Sequence, residues 1–390
     1  MNILIVHNYY KLPGGEDTVV QSEKNLLESR GHKVILYTRN NSELDNLGIM
    51  GKLMLPINTI FSMKTYKEVK AIIKREKIDV LHVHNTLNLL SPSVYYAGFS
   101  CKIPVVQTVH NFRLLCPGAT FYRDGRICED CLTKGLGCAV KHRCYRGSLM
   151  NTLASVITLK IHRFLGTYKK LNYICLTEFN KSKILKVPGV NESQVFIKPN
   201  FTTRSVEYDG NITREGYLYV GRLEKIKGID VLLKAWKIFG DKAPRLTICG
   251  SGDLEDKCKR YIEKNSLSSV DLRGQTPNDE VKDLLQHTKA LVFPTQVYEG
   301  FPVAIAESFM MHTPVIVGDM GNAGSLVDDR ITGLKYTYND PESLAKVIFE
   351  FETMDSNQLG EDAYKKYREK YTEEANYQLL MDIYKRCMIQ

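Results

Sequence analysis

The sequence predicts an α/β protein with two domains, each built on a parallel β-sheet that helices cover on both faces. Three observations predict this fold class. The chain has 390 residues, which is enough for two domains of ordinary size. Short apolar runs alternate with longer stretches that can form helices, and this alternation occurs in both halves. The runs are mostly apolar, as expected of strands in parallel sheets that are buried on both faces.

Each half of the chain contains five apolar runs that we interpret as strands. In the first half they span residues 3–7, 34–37, 80–84, 105–109 and 173–176, and in the second half they span residues 217–220, 246–249, 270–272, 290–293 and 315–317. The first helix is predicted to end at Arg30, because Gly31 stands where a glycine commonly terminates a helix.

A polar stretch without periodicity, from Pro199 to Arg214, marks the predicted boundary between the two domains. We therefore predict a first domain at residues 1–200, with a cysteine-rich insertion at 113–147, and a second domain at residues 201–371. Residues 372–390 are predicted to form a C-terminal helix. The sequence does not indicate where that helix docks.

Two glutamates eight positions apart, Glu299 and Glu307, are the most informative feature of the second half. Between them lie Gly300, Phe301 and Pro302, and then a helix-forming run. This order places the first carboxylate on a loop after a strand and the second in the first turns of a helix. Unpaired N–H groups at a helix start can bind a phosphate, and a carboxylate on either side can hold hydroxyl groups. The arrangement suits a nucleotide sugar. The alternative is a loop acid followed by a solvent-facing helix acid.

Glycine-containing loops follow several predicted strands. Gly14 and Gly15 open the first helix, where they allow a ligand to approach backbone N–H groups closely. Gly250 and Gly252 follow the second strand of the second half and can turn tightly beside the ligand. In both loops an ordinary tight turn is the alternative interpretation.

Arg222 and Lys227 lie in the loop after the first strand of the second half, beside Gly221 and Gly228. Arginine can clamp a diphosphate with its planar fork, and lysine can bind it as a point charge. Basic residues on loops are also commonly solvated without binding anything.

Taken together, these motifs resemble the retaining glycosyltransferases of family four, which have the GT-B fold of two Rossmann-like domains facing across a cleft. The resemblance covers essentially the whole chain. It implies that the second domain binds a nucleotide diphosphate sugar and that the first binds the acceptor. Arg222 and Lys227 would contact the diphosphate, and Glu299 would hold hydroxyls of the donor sugar. The remaining donor-binding residues implied are Gly14, Gly15, Gly250, Gly252, Gly300, Phe301, Pro302 and Glu307, the last of these on the ribose.

His110 directly follows the predicted strand at 105–109. The carboxyl end of a strand is where α/β sheets bind ligands. In the family that the chain resembles, a histidine at this place lies beside the anomeric carbon of the donor, which implies that His110 and Glu299 are the catalytic residues. A histidine that caps a strand for structural reasons is the alternative. For His82 and His84, one strand earlier, we favour structural or acceptor-side roles.

The implied reaction is glycosyl transfer with retention of configuration. The first half offers no evident carboxylate nucleophile, which agrees with the front-face attack proposed for the family. No Asp-x-Asp metal signature stands at a strand end, so we expect no catalytic cofactor and a metal-independent enzyme.

Five of the ten cysteines fall within residues 113–147. Cys128 and Cys131 have the spacing of a zinc knuckle, and Cys116 and Cys144 are the candidates to complete a structural zinc site. The fifth cysteine, Cys138, makes five thiols for a site that needs four ligands. The alternative is a loop with small buried thiols, since disulfides do not persist in a reducing compartment.

The charge is uneven along the chain. Residues 1–200 contain 28 basic and 14 acidic side chains, whereas residues 201–390 contain 25 and 30. The basic half predicts an anionic partner, and an anionic membrane surface is one such partner. Residues 52–70 could lie on such a surface as a basic amphipathic segment, and we interpret residues 149–164 as a core helix. No signal peptide is evident, so we expect a cytoplasmic protein, peripheral on the inner face of the cytoplasmic membrane.

The function predicted from the sequence is transfer of a sugar from a nucleotide diphosphate sugar to a carbohydrate or lipid-linked acceptor in surface polysaccharide biosynthesis. One alternative is a nucleic-acid-binding protein that uses the basic half and the cysteine-rich loop, although Glu299 and Glu307 then have no role and we expect no nucleic acid partner. A nucleotide-sugar epimerase or another GT-B enzyme is the second alternative.

Overall fold

The computed structural model describes residues 1–11, 14–203, 206–210 and 212–389. The chain forms two compact units. Unit 1 comprises Met1–Arg123, Cys128–Asn200 and the chain from Asn376 onward, and unit 2 comprises Asp124–Ile127 and Phe201–Ala375. Each unit contains its own six-stranded parallel sheet, so the predicted fold class of two parallel-sheet α/β domains is confirmed.

Eight strands occur among the described residues of the first 200. They are β1 (Asn2–Tyr9), β2 (Lys33–Asn40), β3 (Val80–Asn85), β4 (Val105–Val109), β5 (Tyr122–Arg123), β6 (Arg126–Ile127), β7 (Asn172–Cys175) and β8 (Val195–Ile197). β5 and β6 pair with each other. The other six form a parallel sheet in the order β2-β1-β3-β4-β7-β8, and every residue of β3 and β4 is buried.

The helices of this part are α1 (Gly15–Ser29), α2 (Ile49–Ile60), α3 (Met63–Arg75), α4 (Ser93–Cys101), α5 (Asp130–Thr133), α6 (Gly137–Lys141), α7 (Leu149–Phe164) and α8 (Glu178–Ile184), with 3₁₀ turns at Asn41–Leu44, Tyr168–Lys170 and Glu192–Gln194. Their ends follow local sequence signals. Ser62 and Ser148 cap the starts of α3 and α7 by accepting backbone N–H bonds. Gly31 has φ of +80° directly after the end of α1, which confirms the predicted terminating glycine.

The rest of the chain contains six strands and eight helices among the described residues. The strands are β9 (Tyr217–Val220), β10 (Leu246–Cys249), β11 (Val270–Gly274), β12 (Ala290–Phe293), β13 (Val315–Gly318) and β14 (Gly333–Tyr336). The helices are α9 (Ile229–Phe239), α10 (Glu255–Lys264), α11 (Asn278–Gln286), α12 (Val303–Met310), α13 (Gly321–Leu326), α14 (Pro341–Phe351), α15 (Ser356–Lys370) and α16 (Glu373–Ile389), with 3₁₀ turns at Lys225–Lys227 and Gly240–Lys242.

The sheet of unit 2 has the order β11-β10-β9-β12-β13-β14 and separates two hydrophobic cores. Successive strand residues alternate between these cores: Tyr217 and Tyr219 pack with Trp236 on one face, whereas Leu218 packs with Phe309 on the other. This alternation is the side-chain period of a strand, and it explains why β9 carries apolar side chains on both faces.

Strand order reverses once in each sheet, and these reversals position the candidate sites. In unit 1 the chain runs from β1 to β2 on one side and then returns to β3 on the other side of β1. In unit 2 it runs from β9 through β10 to β11 and then returns to β12 beside β9. Ligands of open α/β sheets bind outside the carboxyl ends of the strands at such points. The loops after β1, β9 and β12 lie at these points, and the loop after β4 lies at the same edge of the sheet of unit 1.

The structure adds elements that the sequence did not predict. β8 and β14 extend the two sheets at their edges, and β5 and β6 lie in the cysteine-rich segment. The predicted boundary stretch at 199–214 includes residues 204, 205 and 211, which lie outside the described chain. The last helix packs on unit 1, where Leu380 and Tyr384 join a core with Ile3 and Val80.

The segments at 52–70 and 149–164 also differ from expectation. The first is divided between α2 and α3. The second is α7, and only one of its faces is core: Val156 and Leu159 are buried, whereas Ile157 and Ile161 are exposed. No helix in the described part of the chain is both long and apolar enough to cross a membrane.

Candidate active site

The loops after β9 and β12 are in contact at the strand-order reversal of unit 2. Gly228 has φ of +76°, and a Cβ at this position would lie 1.8 Å from the carbonyl oxygen of Pro294. The backbone N–H of Gln296 donates to the carbonyl of Ile226 at 2.8 Å. A side chain at position 228 would therefore separate the two loops, and the glycine is required by both the backbone conformation and the close approach.

These two loops bring Lys227 and Glu299 together. Lys227 Nζ donates to Glu299 Oε1 at 2.8 Å, and the Thr295 hydroxyl donates to the same oxygen at 2.7 Å. The side chains are 21% and 16% exposed, so the pair is shielded from water but still reachable. The second carboxylate oxygen of Glu299 has no hydrogen bond among those found in the described chain.

Asn322, which lies in α13, fixes the backbone around Glu299. Its side-chain amide donates to the carbonyl oxygens of Glu299 and Gly300, the latter at 2.8 Å. The next residues lead directly into α12: Phe301 packs its ring against Tyr371 with centroids 5.8 Å apart, and Pro302 is the residue before the first helical turn. The loop is thus held by hydrogen bonds on one side and by ring packing on the other.

Glu307 lies in the second turn of α12, as the sequence predicted, and is half-buried. Burial raises the pKa of its carboxyl group, and the side-chain amide of Asn278 partly opposes this by donating to Oε1 at 3.3 Å. Asn278 is the first residue of α11. Glu307 has no cationic partner within salt-bridge distance among the described residues, so its oxygens can accept hydrogen bonds from a ligand.

The remaining predicted donor residues lie on neighbouring loops. A Cβ at Gly250, where φ is +144°, would lie 1.9 Å from the carbonyl oxygen of Gly221, and a Cβ at Gly252 would lie 2.7 Å from that of Leu223. The loop after β10 therefore packs closely on the loop after β9. Arg222 is 65% exposed and forms an ion pair with Glu224 at 2.7 Å, so the structure does not bring its guanidinium into the Lys227–Glu299 pair.

In unit 1, His110 follows β4 and belongs to a buried network of polar side chains. Its Nε2 lies 2.9 Å from Nδ1 of His84, in hydrogen-bond contact. His84 Nε2 and His82 Nδ1 lie 3.4 and 2.9 Å from one carboxylate oxygen of Glu23, and the other oxygen accepts from Lys198 Nζ at 2.9 Å. Burial lowers the pKa of His110, and it lowers the pKa of His84 to about 3. Both imidazoles are therefore neutral at physiological pH.

The Glu23 carboxylate has a structural role in this network. Burial alone would raise its pKa, but Lys198 and His82 outweigh burial and hold the pKa well below its usual range. Glu23, His82 and His84 form the one group of three candidate metal ligands in the described chain whose ligand atoms lie mutually within 4.8 Å. Because Lys198 already supplies a cation there and Tyr384 occupies His82 Nδ1, we interpret the group as a polar network.

Gly14 and Gly15 lie at the start of α1, as predicted. Asp17 holds this turn: one carboxylate oxygen accepts from the N–H of Gly14 at 2.9 Å, and the other lies 2.7 Å from Nε2 of His7. A Cβ at Gly15 would meet no atom within 4 Å. The protein therefore leaves open space at Gly15, which is the condition for a ligand to approach its backbone.

Sequence reasoning missed Glu16. Burial raises the pKa of this carboxyl group to about 7, and the nearby Arg113 guanidinium, Tyr10 and Asn111 oppose the increase. Asn111 follows His110 and lines a cavity of about 70 Å³ together with Gln107 and Arg113. The signal in the sequence is an acid that directly follows the glycine pair Gly14 and Gly15. Thr295 and Asn322 were missed because their partners are visible only in the fold.

Two family models match the chain. Residues 209–375 match the model described as glycosyl transferases group 1, and residues 13–129 match the model described as glycosyltransferase family 4. A glycosyltransferase of Methanocaldococcus jannaschii is 27% identical over 279 residues, which are 62% of this chain and 70% of the relative. The O-antigen chain mannosyltransferase C of Escherichia coli is 26% identical over 172 residues (43% and 46%), and the amylovoran biosynthesis glycosyltransferase AmsK of Erwinia amylovora is 29% identical over 139 residues (34% and 34%). These last two matches span less than half of each relative.

Solved structures agree with the fold. A glycosyltransferase from Rickettsia africae superposes with a TM-score of 0.70 at 17% identity, covering 99% of this chain and 98% of its own. HepE of Anabaena, solved in complex with UDP, gives a TM-score of 0.65 at 15% identity and covers 98% and 99%. The two parallel-sheet units thus have the GT-B architecture of glycosyltransferases. The chain belongs to the group 1 glycosyltransferases, with the family 4 pattern in its first half.

The buried network allows a stability test. In Lys198→Met the carboxylate of Glu23 keeps its burial and loses its cation, so we expect a loss of about 3–5 kcal/mol in the free energy of unfolding. Urea denaturation monitored by circular dichroism measures it. Lys181→Met is the matched control, because Lys181 pairs with the exposed Glu192 at the same 2.9 Å distance and should change stability little. Equal losses of stability in the two variants would contradict the structural role assigned to the buried pair of Lys198 and Glu23.

Proposed function

We propose that this glycosyltransferase moves a sugar from a nucleoside diphosphate sugar to a carbohydrate or lipid-linked acceptor with retention of anomeric configuration, in the assembly of a surface polysaccharide. The observation that carries the proposal is the Lys227–Glu299 pair at the strand-order reversal of unit 2, followed by Glu307 in α12. The two adjoining loops thus bring together a cation (Lys227), a carboxylate that can accept hydrogen bonds (Glu299) and the start of α12.

The diphosphate of the donor has three sources of positive charge in unit 2. Lys227 is preorganised on its 3₁₀ turn, and the first N–H groups of α12 carry the positive end of the helix dipole. Arg222, exposed on the same loop as Lys227, can turn from Glu224 toward a phosphate, because an exposed ion pair contributes little stability. Charge that is already in place needs no reorganisation when the diphosphate leaves.

The two glutamates would hold the two sugars of the donor. Glu299, which is fixed by Thr295 and Asn322, would accept hydrogen bonds from hydroxyls of the transferred sugar. Glu307 would accept them from the ribose. Gly250, Gly252 and Gly300 would let the backbone approach the nucleotide closely, as in the family that the sequence resembles.

The transfer step proposed is a front-face displacement. The bond between the anomeric carbon and the diphosphate oxygen breaks, the acceptor oxygen forms its bond on the same face, and the acceptor proton goes to the leaving phosphate oxygen. His110 would act here as a neutral imidazole, because burial lowers its pKa. It would therefore offer the sugar a hydrogen bond rather than a fixed charge. No metal ion is assigned to the step.

The acceptor class is supported by relatives. The similar proteins named above are assigned by name to O-antigen chain and amylovoran biosynthesis. The nucleotide of the donor is supported by HepE, which was solved with UDP. We therefore propose a polysaccharide intermediate as acceptor and test uridine diphosphate sugars first.

The proposal predicts that Lys227→Met weakens the binding of nucleoside diphosphates about 10- to 100-fold, since a hydrogen bond to a charged group contributes about 1.5–3 kcal/mol. Isothermal titration with UDP, GDP and ADP measures the affinity. Lys225→Met is the control, because Lys225 lies exposed on the same 3₁₀ turn. An unchanged affinity in Lys227→Met, for a nucleotide that the unmodified protein binds, would remove the lysine from the site.

Glu299→Gln separates binding from turnover. We expect nucleoside diphosphate affinity within a few-fold of that of the unmodified protein and a loss of about 100-fold in donor turnover, because the contact with the sugar is strongest when charge develops at the anomeric carbon. Release of nucleoside diphosphate from the donor is the measurement. Asp253→Asn, a change of the same kind on the loop after β10, is the control. Full turnover in Glu299→Gln would contradict the proposed contact between Glu299 and the donor sugar.

We also propose that α2 and α7 form a surface for anionic lipid. The two helices pack together, and α7 exposes one apolar stripe. The exposed apolar residues of the pair are Met50, Met54, Ile57, Leu149, Met150, Leu153, Ile157, Ile161 and Phe164. Residues 131–177 contain eight lysines and arginines and no acidic side chain. Apolar residues flanked by cationic ones are the pattern of helices that lie in a lipid interface.

Phe164→Asp tests this surface. Phe164 is 90% exposed, and its replacement removes apolar area and adds a negative charge, so we expect binding to vesicles containing phosphatidylglycerol to weaken about tenfold or more. Vesicle sedimentation at low salt measures it. Phe349→Asp, at a 72% exposed position on α14, makes the same chemical change in unit 2 and should leave binding intact. Equal effects of the two changes would contradict the proposal. Equal binding of the unmodified protein to neutral vesicles would contradict it as well.

A further inference from the structure

We propose that Arg113 and Arg146 bind the phosphate of a lipid-linked acceptor, whose hydrocarbon lies between α2 and α7. The inference rests on the proposed transfer reaction and names the class of acceptor for it. The two arginines stand near the two ends of the cysteine-rich insertion at 113–147. The five cysteines of this insertion are free thiols, and no three of their sulfurs lie mutually within 4.8 Å in the described chain. The arginines rather than the thiols therefore point to a ligand.

The ring of Tyr145 brings the two guanidinium groups together. The guanidinium carbon of Arg113 lies 4.8 Å from the ring centroid, and that of Arg146 lies 5.5 Å from it, both within the range of a cation–π contact. Hydrogen bonds hold Tyr145 itself at two points. Its hydroxyl donates to Oδ1 of Asn88 at 3.0 Å, and its backbone N–H donates to the hydroxyl of Thr152 at 2.9 Å. Two cations are thus held beside one positioned aromatic ring.

The surrounding protein does not fully compensate the charges of these arginines. Neither forms an ion pair with a described residue, and Nε of Arg113 is buried without a hydrogen-bond partner there. The carboxyl group of Glu16 interacts with Arg113, but burial raises its pKa to about 7, so at neutral pH it cancels only part of the positive charge. Guanidinium groups with donors to spare are well suited to bind a phosphate.

The two arginines stand at the junction of two cavities in unit 1. Arg113 lines the cavity of about 70 Å³ beside His110. Arg146 lines a second cavity, of about 100 Å³, that lies between α2 and α7. Leu87 and Ser155 line both cavities, so the two adjoin each other. A molecule that extends from one cavity into the other therefore passes the arginines.

The lining of the cavities changes from polar to apolar across this junction. The first cavity is bordered by His110 and Asn111, whose side chains can form hydrogen bonds with a sugar. The second contains apolar side chains of both helices, among them Leu55 and Met150. Met150 is also 68% exposed, so this cavity opens onto the apolar face of α2 and α7.

The order of polar cavity, two cations and apolar groove is the order of sugar, phosphate and hydrocarbon in a lipid-linked saccharide. A free oligosaccharide would leave the cations and the apolar groove without a contact. Cavities of this size enclose only the atoms close to the phosphate. The rest of the hydrocarbon would lie along the exposed apolar residues of the two helices, in the lipid interface proposed above for them. The phosphate would then bind at the depth of the lipid headgroups.

The test uses farnesyl diphosphate, a short isoprenoid that carries a diphosphate, and the full chain. We expect Arg146→Met to weaken binding of this probe about tenfold or more, because a hydrogen bond to a charged group is lost. Equilibrium dialysis measures the affinity. Arg143→Met is the matched control: Arg143 is also exposed and also has a left-handed backbone, with φ of +49° against +55° for Arg146, but it lines neither cavity.

Three results of this comparison would overturn the proposal. They are no binding of farnesyl diphosphate by the unmodified protein, unchanged affinity in Arg146→Met, and equal losses of affinity in Arg146→Met and Arg143→Met. Because Arg146 is exposed, its replacement is not expected to prevent folding. Nucleoside diphosphates should bind Arg146→Met and the unmodified protein equally well, so a failure of the donor site and a failure of the acceptor site give different results.

Two further ligands show which part of the probe is recognised. Farnesol, which lacks the diphosphate, should bind at least about tenfold more weakly than farnesyl diphosphate. Inorganic pyrophosphate should also bind more weakly, because it has no hydrocarbon for the groove between α2 and α7. Inorganic pyrophosphate that bound as tightly as farnesyl diphosphate would overturn the assignment of a lipid, and farnesol that bound as tightly would overturn the assignment of a phosphate.

The probe must also be shown to lie outside the donor site. Lys227→Met removes the cation of that site and should leave the affinity for farnesyl diphosphate unchanged, whereas a loss would mean that the probe occupies the donor site and would overturn the proposal. An isoprenoid diphosphate with a photoreactive group at its far end gives an independent readout. We expect peptide mass analysis to find the label within residues 49–60 or 149–164, and labelling confined to other segments would overturn the proposal.

Discussion

The buried ion pair between Glu23 and Lys198 is the constraint on which the first unit depends. Both side chains are 1% exposed, so neither charge has water to compensate it. Leaving one buried charge without its partner destabilises a protein far more than the intact pair stabilises it. Every element that contributes to the pair is therefore forced into one arrangement. Those elements are α1, the chain after β8 and, through the Asn376 side chain that accepts from Lys198 at 2.9 Å, the last helix. The same carboxylate lies beside the histidines that lead to His110, so the position of a proposed catalytic residue depends on an ion pair inside the unit.

The Lys227–Glu299 pair of unit 2 differs from this buried pair in one physical respect. Its side chains are partly exposed, and Glu299 keeps an oxygen available. The pair is preorganised by the contact between Gly228 and Pro294, which leaves no room for a side chain, rather than by complete burial. A ligand can therefore replace or extend its hydrogen bonds at small cost. This difference is why we treat the first pair as structural and the second as the donor site.

The sequence predicted those parts of the fold that have a local pattern. The strands at 217–220 and 290–293 agree residue for residue with β9 and β12, because each is a run of apolar residues that ends abruptly. The strand at 105–109 also agrees with β4, where Gln107 and Thr108 stand between valines. β14 was missed because Gly333 and Lys335 interrupt its apolar pattern at the edge of the sheet. Glu23 and Lys198 were also missed, since each resembles a solvated charge and they are 175 residues apart. In α7, apolar residues occur on all sides, so the sequence could not tell the core face from the exposed one.

The central claim is that a nucleoside diphosphate binds at the strand-order reversal of unit 2. Hydrogen–deuterium exchange of the intact protein, with and without the nucleoside diphosphate that raises its melting temperature most, tests this claim directly. The account predicts slower exchange in residues 221–228 and 295–307. Protection confined to other segments, or no protection at saturating nucleotide, would contradict it.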